Sequence, residues 1–203
     1  VIFPCFNEEE SIVSSVLNTK KALTPFIKKH KAEIIVVDNN STDRSAYLAK
    51  KAGAKVIRER IKGYGAALKT GFSKAKGDIL IMADADNTYP LDDIPKFIRE
   101  IQKGADLVLG SRFKGKMSPG VMPFFNRHIG NPQLTRMLNL FYKTNISDTQ
   151  TGMRALTKTT WNTLRMKSDG MEFASEMIIK AIARKLILSE IGRVPGKLDS
   201  KSL

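Results

Sequence analysis

Gly77-Asp78-Ile79-Leu80-Ile81-Met82-Ala83-Asp84-Ala85-Asp86 decides how this chain is read. The run from Gly77 to Ala83 is short, apolar and rich in Ile, the pattern of a buried strand. Two carboxylates follow it directly, two residues apart. On a strand's alternation both can point the same way. Paired oxygen ligands suit Mg²⁺ or Mn²⁺, ions commonly shared with substrate phosphates. The stretch therefore predicts a metal–diphosphate site at the carboxyl edge of an α/β sheet. Taken alone, the two acids could equally cap a turn.

The surroundings repeat the strand–helix alternation. Val1–Pro4, Glu33–Asp38, Ala54–Arg58 and Ala105–Gly110 read as further strands. Helices are expected at Glu8–Leu23 (with acids in its first turn), from the 39–43 turn to about Lys51, at Tyr64–Ala75 and from Pro90 to Lys103. Repeated β-α units with near-continuous apolar strands imply a parallel sheet covered on both faces. Ligands of such sheets sit at the carboxyl ends of the strands. Beyond residue 110, Ser111–Pro123 reads as a loop, Asn126–Lys143 as an amphipathic helix, and Thr151–Thr157 as a strand. Phe173–Arg184 reads as a helix and Leu186–Val194 as a strand.

The 203 residues fit one domain, and a formal charge of +14 points to an anionic partner. Aromatic residues do not interleave with the basic ones, so nucleic acid ranks low. The one cysteine, Cys5, excludes an internal disulfide framework and reads as a packed thiol. No stretch is long and apolar enough to span a bilayer. The chain opens without Met inside a strand-like run, as if trimmed at the front.

Four loops should meet at the strand ends: Pro4–Glu8, Asp38–Asp43, Asp84–Asp86 and Ser111-Arg112. In order along the chain, Phe3-Pro4-Cys5-Phe6-Asn7-Glu8-Glu9, Val36-Val37-Asp38-Asn39-Asn40-Ser41-Thr42-Asp43, Lys62-Gly63-Tyr64-Gly65 and Asp84-Ala85-Asp86 resemble the motifs of family-two glycosyltransferases. Leu109-Gly110-Ser111-Arg112-Phe113 and Asp148-Thr149-Gln150-Thr151-Gly152-Met153-Arg154 resemble the polyprenyl- and dolichyl-phosphate sugar synthases within that family.

The resemblance implies a three-layer α/β fold of the nucleotide-diphospho-sugar transferase type (GT-A, Rossmann-like), with a mostly parallel central sheet. Residues 1–203 would form one catalytic domain, 1–110 the donor half and 111–203 the acceptor half. It implies inverting transfer of a hexose from a UDP- or GDP-sugar to a polyprenyl (dolichyl) phosphate, assisted by Mg²⁺ or Mn²⁺. Pro4, Phe6 and Glu8 would line the base and ribose pocket, Asp38 would meet the nucleobase, and Asn40 the ribose. Gly63 and Gly65 would let backbone approach the nucleotide. Asp84 and Ala85 would lie near the ribose and metal, with Asp86 the main ligand. Arg112 and Arg154 would hold phosphates, and Gln150 would orient phosphate or sugar.

Duller readings stand beside these: a turn cap for Asp38, a solvated loop residue for Arg112, a structural ion-pair partner for Arg154. A lipid phosphate needs no strong base, whereas a saccharide acceptor would need one, such as Asp148 or Glu172. A nucleotide-sugar-binding protein without catalysis is the remaining alternative. The implied place is cytoplasmic, at the face of a membrane, with peripheral contact through Met117–Phe125 and the Asn126–Lys143 helix. Relatives usually continue past the last strand through a basic segment into amphipathic or membrane helices, and here the end looks shortened.

Overall fold

The computed structural model describes residues 1–27, 32–86, 88–111, 133, 135–136, 139–140 and 146–192. Its strands are β1 (Ile2–Cys5), β2 (Ile35–Asp38), β3 (Lys55–Arg58), β4 (Ile79–Met82), β5 (Leu107–Ser111), β6 (Arg154–Thr157) and β7 (Leu188–Gly192). The helices are α1 (Ile12–Ile27), α2 (Ser45–Lys51), α3 (Tyr64–Lys74), α4 (Ile94–Gln102), α5 (Lys158–Leu164) and α6 (Phe173–Ala183). A short 3₁₀ turn, Leu91–Asp93, leads into α4.

The strands form one sheet in the order β3-β2-β1-β4-β6-β5-β7. Every pairing is parallel except those of β6, which runs against both β4 and β5. Its register sets Met82 beside Arg154. The reversal carries the start of β6 to the edge where β1, β2 and β4 end.

Strand alternation sends apolar side chains to both faces. Phe3, Val36, Ile81 and Val108 pack with Ile12, Val16, Ile94 and Phe97 of α1 and α4. Ile2, Val37, Leu80 and Leu107 pack with Leu68 and Phe72 of α3 and with Phe173 and Met177 of α6. These two cores make the three expected layers.

Helix α3 lies close on the sheet because Gly71 has no side chain. A methyl there would overlap Ile2 Cγ2 and press on Val37 Cγ2 at 3.0 Å. Overpacking a core typically costs more than the ~1 kcal/mol that alanine gains over glycine in a helix. Gly71→Ala should therefore lose about 2 kcal/mol, lowering the melting temperature by about 4–8 °C in a chain of this size. An unchanged or raised melting temperature would contradict this packing.

Some element boundaries differ from expectation. The first helix begins at Ile12, not Glu8, so its acids precede it in a turn. The backbone N–H groups of Glu8 and Glu9 donate instead to Ser45 Oγ (2.7 Å) and Asp43 Oδ2 (3.1 Å). The expected strand at Thr151–Thr157 is regular only from Arg154. Helix α5 had no periodic signal; Thr157 starts it by accepting the Thr160 N–H at 2.9 Å. Of Asn126–Lys143, residues 133, 135–136 and 139–140 are helical, and the others lie outside the described residues.

Candidate active site

The ends of β1, β2 and β4 and the start of β6 surround a cavity of 510 Å³. Pro4, Phe6 and Glu8 line it from the turn after β1, and Asn39 from the turn after β2. Lys62, Gly63 and Tyr64 line it at the start of α3, and Asp84, Ala85 and Asp86 line it beyond β4. Gln150, Thr151 and Gly152 come from the segment before β6, and Met171 and Ala174 from around the start of α6. Phe6 and Met171 are exposed, so the cavity carries open apolar surface.

The two acids are not equivalent. Strand β4 ends at Met82, so strand alternation does not carry both acids to one face. Asp84 is half-buried, and its Oδ1 accepts the Tyr64 hydroxyl at 3.0 Å. Burial, followed by the charge of Asp84, pushes the Tyr64 phenol well above its ordinary range, so it stays a donor. Asp86 is exposed and accepts the Thr88 N–H at 2.9 Å. Between them the Ala85 carbonyl accepts the buried Ser15 hydroxyl of α1 at 2.8 Å, which fixes the bend.

The expected nucleotide contacts divide. Asp38 is buried at the end of β2, does not line the cavity, and closes its own turn by accepting the Ser41 N–H at 3.1 Å. Asn40, at φ 67°, donates to the carbonyls of Glu59 (3.2 Å) and Arg60 (3.1 Å), also away from the lining. Asn39 is the residue at the cavity. Its amide donates to the carbonyls of Glu59 and Ile61 and accepts the Gly63 N–H at 2.8 Å.

The glycines allow a close approach, but by another part of the protein. A side chain on Gly63 (φ 143°) would strike the Asp169 carbonyl, and one on Gly65 would strike that of Ser168. Ala66 donates its N–H to Asp169 at 3.0 Å. Gly65 therefore makes room for the 168–170 backbone rather than a nucleotide, and only Gly63 faces the cavity. That segment is fastened by Lys69 to Asp169 (2.7 Å) and by Glu176, which accepts the Lys167 and Ser168 N–H groups. Burial alone would raise the Glu176 carboxyl, but hydrogen bonds from Lys180, Ser168 and Lys167 outweigh it and hold its pKa at about 2.

Arg154 is a correction. It is fully buried, and its guanidinium donates to the carbonyls of Thr149 (3.0 Å), Thr151 (3.0 Å) and Ala174 (2.7 Å). It is not among the residues that line the cavity, and its guanidinium is bonded to backbone instead. Gln150 does line the cavity, with its side-chain amide donating to Ser175 Oγ at 2.9 Å. Arg112 and Met117–Phe125 lie outside the described residues.

Cys5 borders the cavity, yet burial pushes its thiol up to about 11, as suits a packed thiol. Sequence reasoning missed Tyr64, Tyr89, Gly152 and Asn39 as shapers of this site. Asn39 and Tyr64 sit inside the quoted motifs, so their position was the available signal. Gly152 also sits inside a quoted motif, but its role depends on Asp84 packing against it, which the motif does not state. Among the described residues no helix is long and apolar enough to cross a membrane.

The profile of glycosyl transferase family 2 matches residues 1–162. The chain is 41% identical over 191 residues to the low-salt glycan biosynthesis hexosyltransferase Agl6 of Haloferax volcanii, covering 94% of this chain and 46% of that protein. It is 30% identical over 192 residues to the dolichyl-phosphate hexose transferase of the same organism, covering 94% and 79%. The chain thus spans about half the length of the first relative and over three quarters of the second. The glucosyl-3-phosphoglycerate synthase of Mycobacterium tuberculosis, solved with Mn²⁺, uridine diphosphate and phosphoglyceric acid, superposes with a TM-score of 0.74 at 21% identity, over 96% of this chain and 70% of that one. That likeness speaks for the fold, which is GT-A.

Proposed function

The chain belongs to glycosyl transferase family 2, and from that premise we propose that it moves a hexose from a nucleoside diphosphate sugar to the phosphate of a polyprenol such as dolichol. An oxygen of the lipid phosphate attacks the anomeric carbon as the bond to the β-phosphate breaks. The sugar inverts, and the nucleoside diphosphate leaves with the negative charge. The observation that carries this reading is the meeting of Asp84 and Asp86 with Pro4, Phe6, Glu8 and Gly63 around one cavity.

The donor set fits a divalent cation. Asp86 offers an exposed carboxylate, and the cavity adds Asp84 beside it. Among the described residues no three His, Cys, Asp or Glu side chains are arranged to hold an ion. Mg²⁺ and Mn²⁺ suit few carboxylates, completing their shells with water and phosphate oxygens. When bound, such an ion supplies positive charge to the departing diphosphate. Tyr64 keeps Asp84 fixed, while Asp86 remains open to solvent.

Neither base named for a hydroxyl acceptor lines the cavity. Asp148 is fully buried and accepts the Gln150 N–H at 3.2 Å. Glu172 is exposed and accepts the Gly170 N–H at 3.1 Å. An acceptor that is already an anion needs neither. Residues 1–110 form the donor half in this reading and 111–203 the acceptor half, with Arg112 at the lipid phosphate. The protein works at the cytoplasmic face of a membrane through peripheral contact.

The test supplies Mn²⁺, labelled UDP- or GDP-hexoses and a short polyprenyl phosphate to the protein. A hexosyl lipid phosphate of inverted anomeric configuration is expected. Retained configuration, or transfer to saccharides alone, would overturn the reading.

A further inference from the structure

We propose that Arg154 is the positioning residue of the site, pinning segment 147–153 so that one wall of the cavity is a fixed surface facing Asp84. The activity arm of this inference rests on the reading above.

Segment 147–153 has no regular secondary structure, yet side chains take up its backbone groups one after another. Glu190 Oε1 accepts the N–H groups of Ser147 (2.8 Å) and Asp148 (3.3 Å). Asp148 accepts that of Gln150, Tyr89 Oη that of Gly152 (2.6 Å), and Thr151 Oγ1 that of Met153 (3.4 Å). The carbonyls of Thr149 and Thr151 go to Arg154. Buried backbone must find such partners, and here they come from the segment's own Asp148 and Thr151 and from β6, β7 and the loop after β4.

Arg154 has the central share. Its rigid fork sets two carbonyls of the segment and one of α6 in fixed relation to one another. A lysine ammonium is a single point and cannot span them. A wholly buried guanidinium is costly to desolvate unless well bonded, so ordering the wall is the reason to keep one here. Through its pairing with Met82, Arg154 also sits beside the strand that leads to Asp84. The Gly152 Cα packs directly against the Asp84 carboxylate, so any drift of the segment alters the seat of that acid. Pro4, Phe6, Asn39 and Gly63 belong to other elements and receive none of its three bonds.

The test compares Arg154→Met and Arg154→Lys with the wild-type protein. Amide exchange over 147–153 should accelerate at least about tenfold in both variants. The Kd for UDP or GDP without metal should stay within about threefold, while kcat falls about 100-fold, the scale of an ångström's misplacement. Lysine should restore less than about a tenth of the lost rate, since it replaces one contact of three. Wild-type exchange and kcat in both variants would overturn the proposal, as would Kd and kcat worsening in parallel. Should neither variant fold, wild-type exchange over 147–153 decides. Rates as slow as those of β6 support the proposal, and fast loop-like rates overturn it. A wild-type protein that transfers no sugar sinks the activity reading, while the exchange arm still judges Arg154.

Discussion

Asp86→Ala should abolish sugar transfer while leaving the fold intact. Asp86 is exposed, and its own backbone contact is a local one to Thr88. The bend around it is held independently by the Ser15–Ala85 hydrogen bond and by Tyr64 on Asp84. Removing the carboxylate should shift the melting temperature by no more than about 2 °C, as expected of an exposed position. The rate should fall about 1,000-fold, the scale of losing charge stabilisation at a departing diphosphate. Two measurements check this: transfer rate against Mn²⁺ concentration, and the melting-temperature rise that Mn²⁺ plus nucleotide gives the wild-type protein. That rise should disappear in the variant. Undiminished transfer would remove Asp86 from the metal site altogether.

Gly152→Ala should be nearly as damaging, through a single methyl. Built on the present backbone, that methyl falls inside the Asp84 carboxylate. Both sides are tethered. The Gly152 N–H is tied to Tyr89, which is itself buried, and Asp84 is held from the other side by Tyr64. Asp84 must therefore leave its seat and lose the Tyr64 bond. Overpacking and a broken partly buried hydrogen bond together should cost about 2–4 kcal/mol of stability. Transfer should drop about 100-fold because the displaced carboxylate no longer sits in register with Asp86. Chemical denaturation and steady-state kinetics on the same preparation would measure both losses. A variant that keeps its stability and its rate would show that Asp84 has freedom this packing denies it.

The strands were legible because their signal is local. Ile79–Met82 and Ile35–Asp38 are short apolar runs ended by acids, and their helices follow in turn. The reversed β6 was not legible, because nothing in Arg154–Thr157 states which strands it will join. Asp84, Ala85 and Asp86 do line one cavity together. The unequal roles of the two acids depend on Tyr64 and Gly152, which are distant in sequence. Gly63 and Gly65 were recognised as points of close approach, but sequence cannot say what approaches. Arg154 shows the same limit. An arginine two residues after a glycine looks alike whether it faces a phosphate or three carbonyls, and only burial tells them apart.

The sheet order carries a consequence for synthesis. Strand β5 has β6 and β7 as its neighbours and does not pair with β4. Both partners leave the ribosome after it does. A nascent chain that has completed its first four strands must therefore carry Leu107-Val108-Leu109 with neither flank hydrogen-bonded until residues 154–157 arrive. An apolar ribbon left open in this way is the template on which chains aggregate. The same late strand that follows the 150–152 wall of the cavity also ends that exposure during translation.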